Sequence, residues 1–205
     1  MARRSEHSQE QIKQMVLEAS EEIIQEQGFS ALKVRKIAAD IGYTVGSVYM
    51  VFANMNDLNM HIKARTWQKI TLYLQAHINK PVTLVTINDF ACNYLDFAVA
   101  NEGLWRMLFE HQLPVGEVVP GWYLEQRYCV IELLYQLLKQ LNTAHSDEQI
   151  KQAAQTLTLS VQGVCMQLVT QRQSIKNIKL ARGNVILLVD CFMRGLKAKE
   201  LEYEL

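Results

Sequence analysis

Three prolines and nine glycines are all that break up 205 residues, which leaves room for long helices and argues against a many-stranded sheet with its frequent turns. Long apolar runs are also missing. The longest strictly aliphatic stretch, Val185 to Val189, falls far short of the ~20 residues that span a bilayer, and the polar opening Met1 to Gln11 has no apolar core of an export signal. A cytoplasmic location follows as the expectation. Net charge is absent too, with 21 basic and 21 acidic residues, so a nucleic-acid site has to be local rather than spread over the surface. The four cysteines (Cys92, Cys129, Cys165, Cys191) form no CxxC pair and sit among apolar helical neighbours, which reads as buried, reduced thiols. The histidines build no HExxH or CxxH unit, so no metal is expected. GxSxG, a glycine-rich phosphate loop and paired catalytic carboxylates are lacking as well. An enzyme has no footing here, and no cofactor is implied.

What is present is helical periodicity. Apolar residues make up 49% and charged residues 20%, enough to bury a core in a chain of this length. Ile12, Met15, Val16, Ala19, Ile23 and Ile24 stripe one face of a helix over residues 9–27, with Gly28 as its terminator. Shorter helices fit Val34 to Ile41, broken by Gly42, and Val45 to Val51, with Thr44 as N-cap. From Asn56 onward long helices follow one another. One runs toward Lys80-Pro81 and the next carries Ile87 to Ala98. After a break at Asn101 to Gly103 comes a helix over Leu104 to Gln112, and a helix striped by Leu124 to Leu138 follows the loop Pro114 to Gly121. The last two span Glu148 to about Thr170 and Asn177 to about Lys199, the first preceded by the polar segment Asn142 to Asp147. The expected fold is all-α, with about nine helices and no strand alternation.

The informative stretch runs from Gly28 to Leu58. Two short helices joined by a glycine-led turn, behind a longer supporting helix, match the helix-turn-helix unit at about residues 34–51. Ile37, Ala38 and Ile41 are expected to pack on the first helix and on Val48, with Ala38 small because the helices cross closely there. Gly46 lets the second helix approach DNA with no side chain in the way. Residues 1–65 balance at zero charge, but Lys33, Arg35 and Lys36 face only Asp40 within residues 30–56, a local net of +2. Arg3 and Arg4 add charge on an N-terminal arm.

The spaced residues Gly28-Phe29, Val34-Arg35, Ile37-Ala38, Gly42, Gly46-Ser47-Val48-Tyr49, Phe52 and Leu58 resemble the DNA-binding domain of the TetR/AcrR regulators over roughly residues 9–69. The segment Asn101 to Phe109 resembles one that recurs in the bodies of such proteins. The resemblance implies a DNA-binding domain over residues 9–69 and a helical effector-binding and dimerisation domain over 70–205. It also implies a homodimer held by the last two long helices, and a repressor of transcription acting on a palindromic operator. Thr44, Ser47 and Tyr49 match phosphate-contacting positions, Lys33 and Arg35 would face DNA from the first of the two short helices, and Val45 and Met50 would meet thymine methyls beside Gly46. Three positions depart from the family pattern. Val51 stands where a hydrogen-bonding residue is usual, Met55 where a phosphate-binding lysine is usual, and Leu32 where a threonine precedes the second helix.

Aromatics gather in the middle of the chain, and Tyr94, Phe97, Trp105, Phe109, Trp122 and Tyr128 are the candidate wall of a cavity for a small apolar or aromatic effector. Ordinary core packing is the competing reading for each. Gly163 and Gly195, inside otherwise apolar helices, suggest close approach of another helix. Two further function classes stay open. One is a ligand-binding protein of the same shape with weak or lost operator binding; the other is a DNA binder that organises the chromosome.

Overall fold

The computed structural model describes residues 7–141, 145–170 and 174–197, and among these it is helical with no strand. Ser8 starts α1 (Gln9–Gln27) through a reciprocal capping box. Its hydroxyl accepts from the Gln11 amide at 3.2 Å, and its own amide donates to Gln11 Oε1 at 2.7 Å. Gly28, at φ +80°, ends α1 and leads into a 3-10 turn, Phe29–Ala31. Then come α2 (Val34–Asp40), α3 (Val45–Tyr49), α4 (Met55–Ala76), α5 (Leu84–Ala100), α6 (Glu102–Glu110), α7 (Gly121–Leu141), α8 (Asp147–Thr170) and α9 (Ile175–Lys197). The expected arm residues Arg3 and Arg4, and the end of the last helix beyond Lys197, lie outside the described residues.

Two compact units emerge. One combines the residues up to Thr66 with Asn101–Gln126, and the other combines Trp67–Ala100 with the chain from Arg127 onward. Compactness therefore does not follow chain order: Asn101–Gln126, assigned from sequence to the C-terminal domain, packs with the N-terminal helices. The first unit closes around Val16, Ile24, Ile37, Val48, Leu58 and Ile62, and α6 adds Leu104 and Met107 to that core. Gly103 is the reason α6 fits. A Cβ there would lie 2.3 Å from the Ile24 carbonyl oxygen, so only glycine lets the two backbones meet. The sequence reading takes Asn101 to Gly103 for a break, whereas Gly103 lies in the first turn of α6 as a packing contact.

In the second unit α5, α8 and α9 bury Ile87, Leu95, Leu157, Cys165, Val185 and Val189. Asn88 Nδ2 donates to Asp190 Oδ1 at 3.0 Å, and Arg182 pairs with Asp96, so α5 and α9 are joined twice. The Tyr135 hydroxyl and Lys139 both donate to Asp147 Oδ1, at 2.5 and 2.6 Å, linking α7 to the first turn of α8. These bonds and the attraction of the lysine hold the Asp147 carboxyl down at about 2. All four cysteines are free. Cys92 and Cys165 are buried as expected, but Cys129 is only half-buried and Cys191 is exposed, its position on α9 turning away from the stripe of Val185 and Val189. No helix of the described residues is long and apolar enough to cross a membrane.

Candidate nucleic-acid interface

Ile41 closes α2, Gly42 turns the chain at φ +73°, and Tyr43 returns its amide to the Ala38 carbonyl at 2.8 Å. A side chain at Gly42 would be strained by that φ alone. Thr44 is extended, and its Oγ1 accepts from the Ser47 amide at 3.2 Å, as an N-cap should. The expectation over-extends α3, which ends at Tyr49 rather than Val51. Phe52 explains this. It is only 2% exposed, and the chain leaves the helix at Met50 and Val51 to deliver that ring to the core.

Burial splits the motif into two faces. Ile37, Ala38 and Val48 are buried and face α1. On the other side Lys33, Arg35, Thr44 and Gly46 are exposed, Ser47 is half-buried, and Tyr49 and Met50 are 43% and 66% exposed. Tyr49 is therefore a surface tyrosine, not a core one. Thr44 and Ser47 form a hydroxyl pair 3.0 Å apart. A Cβ at Gly46 would meet only Thr44 Oγ1, at an ordinary 3.6 Å, so nothing inside the protein demands glycine there. Val45 is half-buried against the core, which leaves only part of its side chain to face outward. Lys36 is engaged by Gln27 at 2.5 Å.

The three family departures share a physical explanation. Leu32 is buried, and Val51 and Met55 pack against the same core. Positions that could carry polar groups toward a phosphate enlarge the hydrophobic interior instead. At the start of α4, Asn54 Oδ1 accepts from the Asp57 amide and Asp57 Oδ2 accepts from the Ala53 amide, both at 2.9 Å, so this helix end is capped by its own chain.

Other polar groups of the first unit escaped the sequence reading. His7 Nδ1 lies 2.7 Å from the Tyr43 hydroxyl, a bond across 36 positions with no periodic signal. His61 is stacked on Trp122 with ring centroids 4.5 Å apart, and it meets Phe52 edge-on at 5.5 Å. Burial lowers the His61 pKa, Lys13 lowers it further, and Asp57 opposes both. His111 is a buried side chain whose Nδ1 has no hydrogen-bond partner. Burial, helped by Lys63, pushes its pKa down to about 4.

The six aromatics named as an effector wall are divided between the two units. The second unit encloses a small apolar cavity of about 10 Å³ between α5, α7 and α8, walled by residues that include Phe90, Tyr94, Leu134, Leu157 and Val161. Of the six aromatics singled out, Tyr94 alone lines it. Phe97 is buried beside Tyr73, Trp105 and Phe109 pack ring to ring at 4.7 Å in the first unit, and Trp122 and Tyr128 are 39% and 53% exposed. Among the described residues, no group of three His, Cys, Asp or Glu side chains could hold a metal.

Residues 16–59 match the family pattern of the bacterial regulatory proteins, tetR family. No curated protein matches the chain. Solved structures do. A tetR-family transcriptional regulator from Streptomyces coelicolor superposes with a TM-score of 0.71 at 13% identity, over 93% of this chain and 84% of that one. A TetR transcriptional regulator from Rhodococcus sp. RHA1 gives 0.67 at 14% identity, over 93% and 100%. The fatty acid degradation regulator FadR from Bacillus halodurans gives 0.63 at 17% identity, over 92% and 97%. At such identities the likeness is one of fold.

Proposed function

The chain is a member of the TetR family of bacterial regulatory proteins through its N-terminal domain, and on that premise we propose that it is a cytoplasmic repressor binding a palindromic operator as a homodimer and released by a small apolar effector. The observation that carries the DNA-binding part is the split of the motif into two faces. Ile37 and Ala38 of α2 and Val48 of α3 are buried in the core, and Val34 and Val45 pack against it half-buried. Lys33, Arg35, Thr44, Ser47 and Tyr49 remain outside with no internal task beyond capping. Arginine is the side chain best suited to a guanine edge, hydroxyls suit phosphate oxygens, and a glycine at position 46 lets the backbone come close.

The test is selection of bound fragments from the source genome, followed by affinity measurements on Arg35→Ala and Tyr49→Ala. Loss of Arg35 is expected to cost about 1–3 kcal/mol, concentrated at one operator position. Undiminished binding by both variants would remove this surface as the site. A few promoter sites support a regulator. Many dispersed sites would favour a chromosome organiser, and none would favour a ligand binder that has lost operator control.

Two features of the second unit support the rest of the reading. Leu159, Leu180, Ile186 and Leu187 stand exposed on α8 and α9, and a Cβ at Gly163 or Gly195 would meet nothing within 4 Å. Such a face suits a second copy. Pairing would set two recognition helices about 34 Å or a multiple apart, as two half-sites of a duplex require. Light scattering at micromolar concentration checks it, and a monomer would remove it. The cavity beside Tyr94 carries no charged group, which suits an apolar effector. Its size is far below the few hundred Å³ of an occupied ligand site, so the effector has to favour a second, more open state.

A further inference from the structure

We propose that His7 and Tyr43 are positioning residues of the DNA-binding face: their hydrogen bond fixes the turn before α3 to the start of α1, and so sets where the Thr44 and Ser47 hydroxyls meet a phosphate. The inference rests on the DNA-binding reading above and deepens it by naming what holds that surface in place.

The bond joins two equivalent points of the chain. His7 immediately precedes Ser8, the N-cap of α1, and Tyr43 immediately precedes Thr44, the N-cap of α3. His7 Nδ1 and the Tyr43 hydroxyl are 2.7 Å apart, and the rings meet edge to face with 6.1 Å between centroids. On the α1 side the anchor is stiff. The capping box holds the first turn, and Ile12, Val16 and Leu17 bury the same helix in the core. On the other side Tyr43 passes that fixity on over one residue, because Thr44 is extended and its Oγ1 already holds the Ser47 amide.

The other ties of the turn run to α2 and to apolar packing. The amides of Ile41, Gly42 and Tyr43 return to the carbonyls of Ile37, Ala39 and Ala38, all of them in α2. Those bonds move with α2 as one piece. Val45 and the Tyr43 ring pack on the core, yet apolar contact is non-directional and tolerates small slides. A hydrogen bond does not, since donor and acceptor have to keep their separation within about half an ångström. The same tolerance governs a hydroxyl meeting a phosphate oxygen, so a slide that packing forgives still breaks the contact.

Because phosphate contacts carry no sequence information, the experiment needs no operator: the whole protein is titrated with a mixed-sequence duplex of about 30 base pairs at about 50 mM salt, well below its thermal midpoint. Tyr43→Phe keeps the ring and loses the hydroxyl. It should weaken binding about 3- to 10-fold, while the thermal midpoint drops by no more than about 4 °C. His7→Ala should lose the same factor, and the two changes together should lose no more than either alone, since each removes the same bond. His7→Asn, whose side-chain amide takes the place of Nδ1, should recover most of the loss. In a Ser47→Ala background Tyr43→Phe should cost about twofold at most, because one of the hydroxyls it places is gone. A purely structural bond would lower the midpoint and leave the affinity of the folded protein unchanged. That result, failure of His7→Asn to restore binding, or an equal cost in both backgrounds overturns the proposal. A native protein that does not bind the duplex at low salt overturns the DNA-binding reading itself.

Discussion

Gly103 and Gly163 set two regions of the molecule side by side. Gly103, in the first unit, is pressed against the backbone of α1, and a methyl group there would stand 2.3 Å from a carbonyl oxygen. Gly163, on α8 of the second unit, is exposed, with nothing within 4 Å of where its Cβ would be. In sequence Gly103 reads as part of a break between helices and Gly163 as a glycine inside an apolar helix, and neither reading tells what packs against it. One is demanded by packing within the chain. The other is free of any such demand, which is why a second copy is the reading offered for it. The largest effect to expect in the molecule follows from this contrast. Gly103→Ala should destabilise the protein by about 3 kcal/mol or more, because backbone on both sides leaves no flexible side chain to give way. Gly163→Ala should be neutral or gain up to about 1 kcal/mol in the isolated protomer, from helix propensity alone. Urea unfolding of both variants at submicromolar concentration decides it. Equal losses would erase the distinction between the two regions.

The same contrast explains what the sequence discloses. Residues 28–58 are legible because each step of the helix-turn-helix has a narrow chemical requirement: a positive φ at Gly42, a cap at Thr44, a small residue at Ala38, a buried Val48. Few residue types meet each of these, so the pattern is distinctive. Helices of the second unit require only apolar residues at 3.6-residue spacing, which many sequences satisfy. Their existence can be read, but their partners cannot. For that reason the sequence does not separate the six aromatics as cavity-wall candidates, whereas among them Tyr94 lines the cavity of the second unit. No local pattern, likewise, ties Asn101–Gln126 to the compact unit it joins. Contacts such as His7 with Tyr43 lie beyond any local pattern, since they depend on how α1 and the turn are brought together.

A smaller effect concerns where acid sensitivity resides. His111 belongs to the first unit, and its pKa, lowered to about 4, lies beneath the ordinary histidine value. The unfolded chain therefore takes up this proton first as pH falls. Stability is complete above about pH 6.5, declines between about 6.5 and 4 at up to about 1.4 kcal/mol per pH unit, and levels off below. His61, also lowered, acts in the same direction. Asp147, in the second unit, is held at about 2 and loses its contribution only under stronger acid. Urea midpoints from pH 7.5 to 4.5 should slope in the native protein and slope less in His111→Gln, which cannot titrate and keeps an amide near Asn56, whose Oδ1 lies 3.4 Å from His111 Nε2. An unchanged slope in that variant would place the acid sensitivity elsewhere.

The smallest effect separates folding from function at a single hydroxyl. Thr44 Oγ1 caps α3 by accepting from the Ser47 amide, and it also touches the Ser47 hydroxyl on the exposed face. Thr44→Ala removes the cap and should cost about 1 kcal/mol of stability, together with a modest loss of DNA affinity. Thr44→Asp provides an equally good cap, with a charge that suits a helix N-terminus, so stability should be kept. Its carboxylate would nevertheless stand where a phosphate has to approach, and DNA affinity should fall by about tenfold or more, most strongly at low salt where screening is weak. Thermal unfolding and duplex binding, measured on both variants, should thus move in opposite order: alanine the less stable, aspartate the weaker binder. If aspartate bound DNA as well as alanine does, the surface around Thr44 would be a folding feature alone, and the two faces of the motif would no longer differ in purpose.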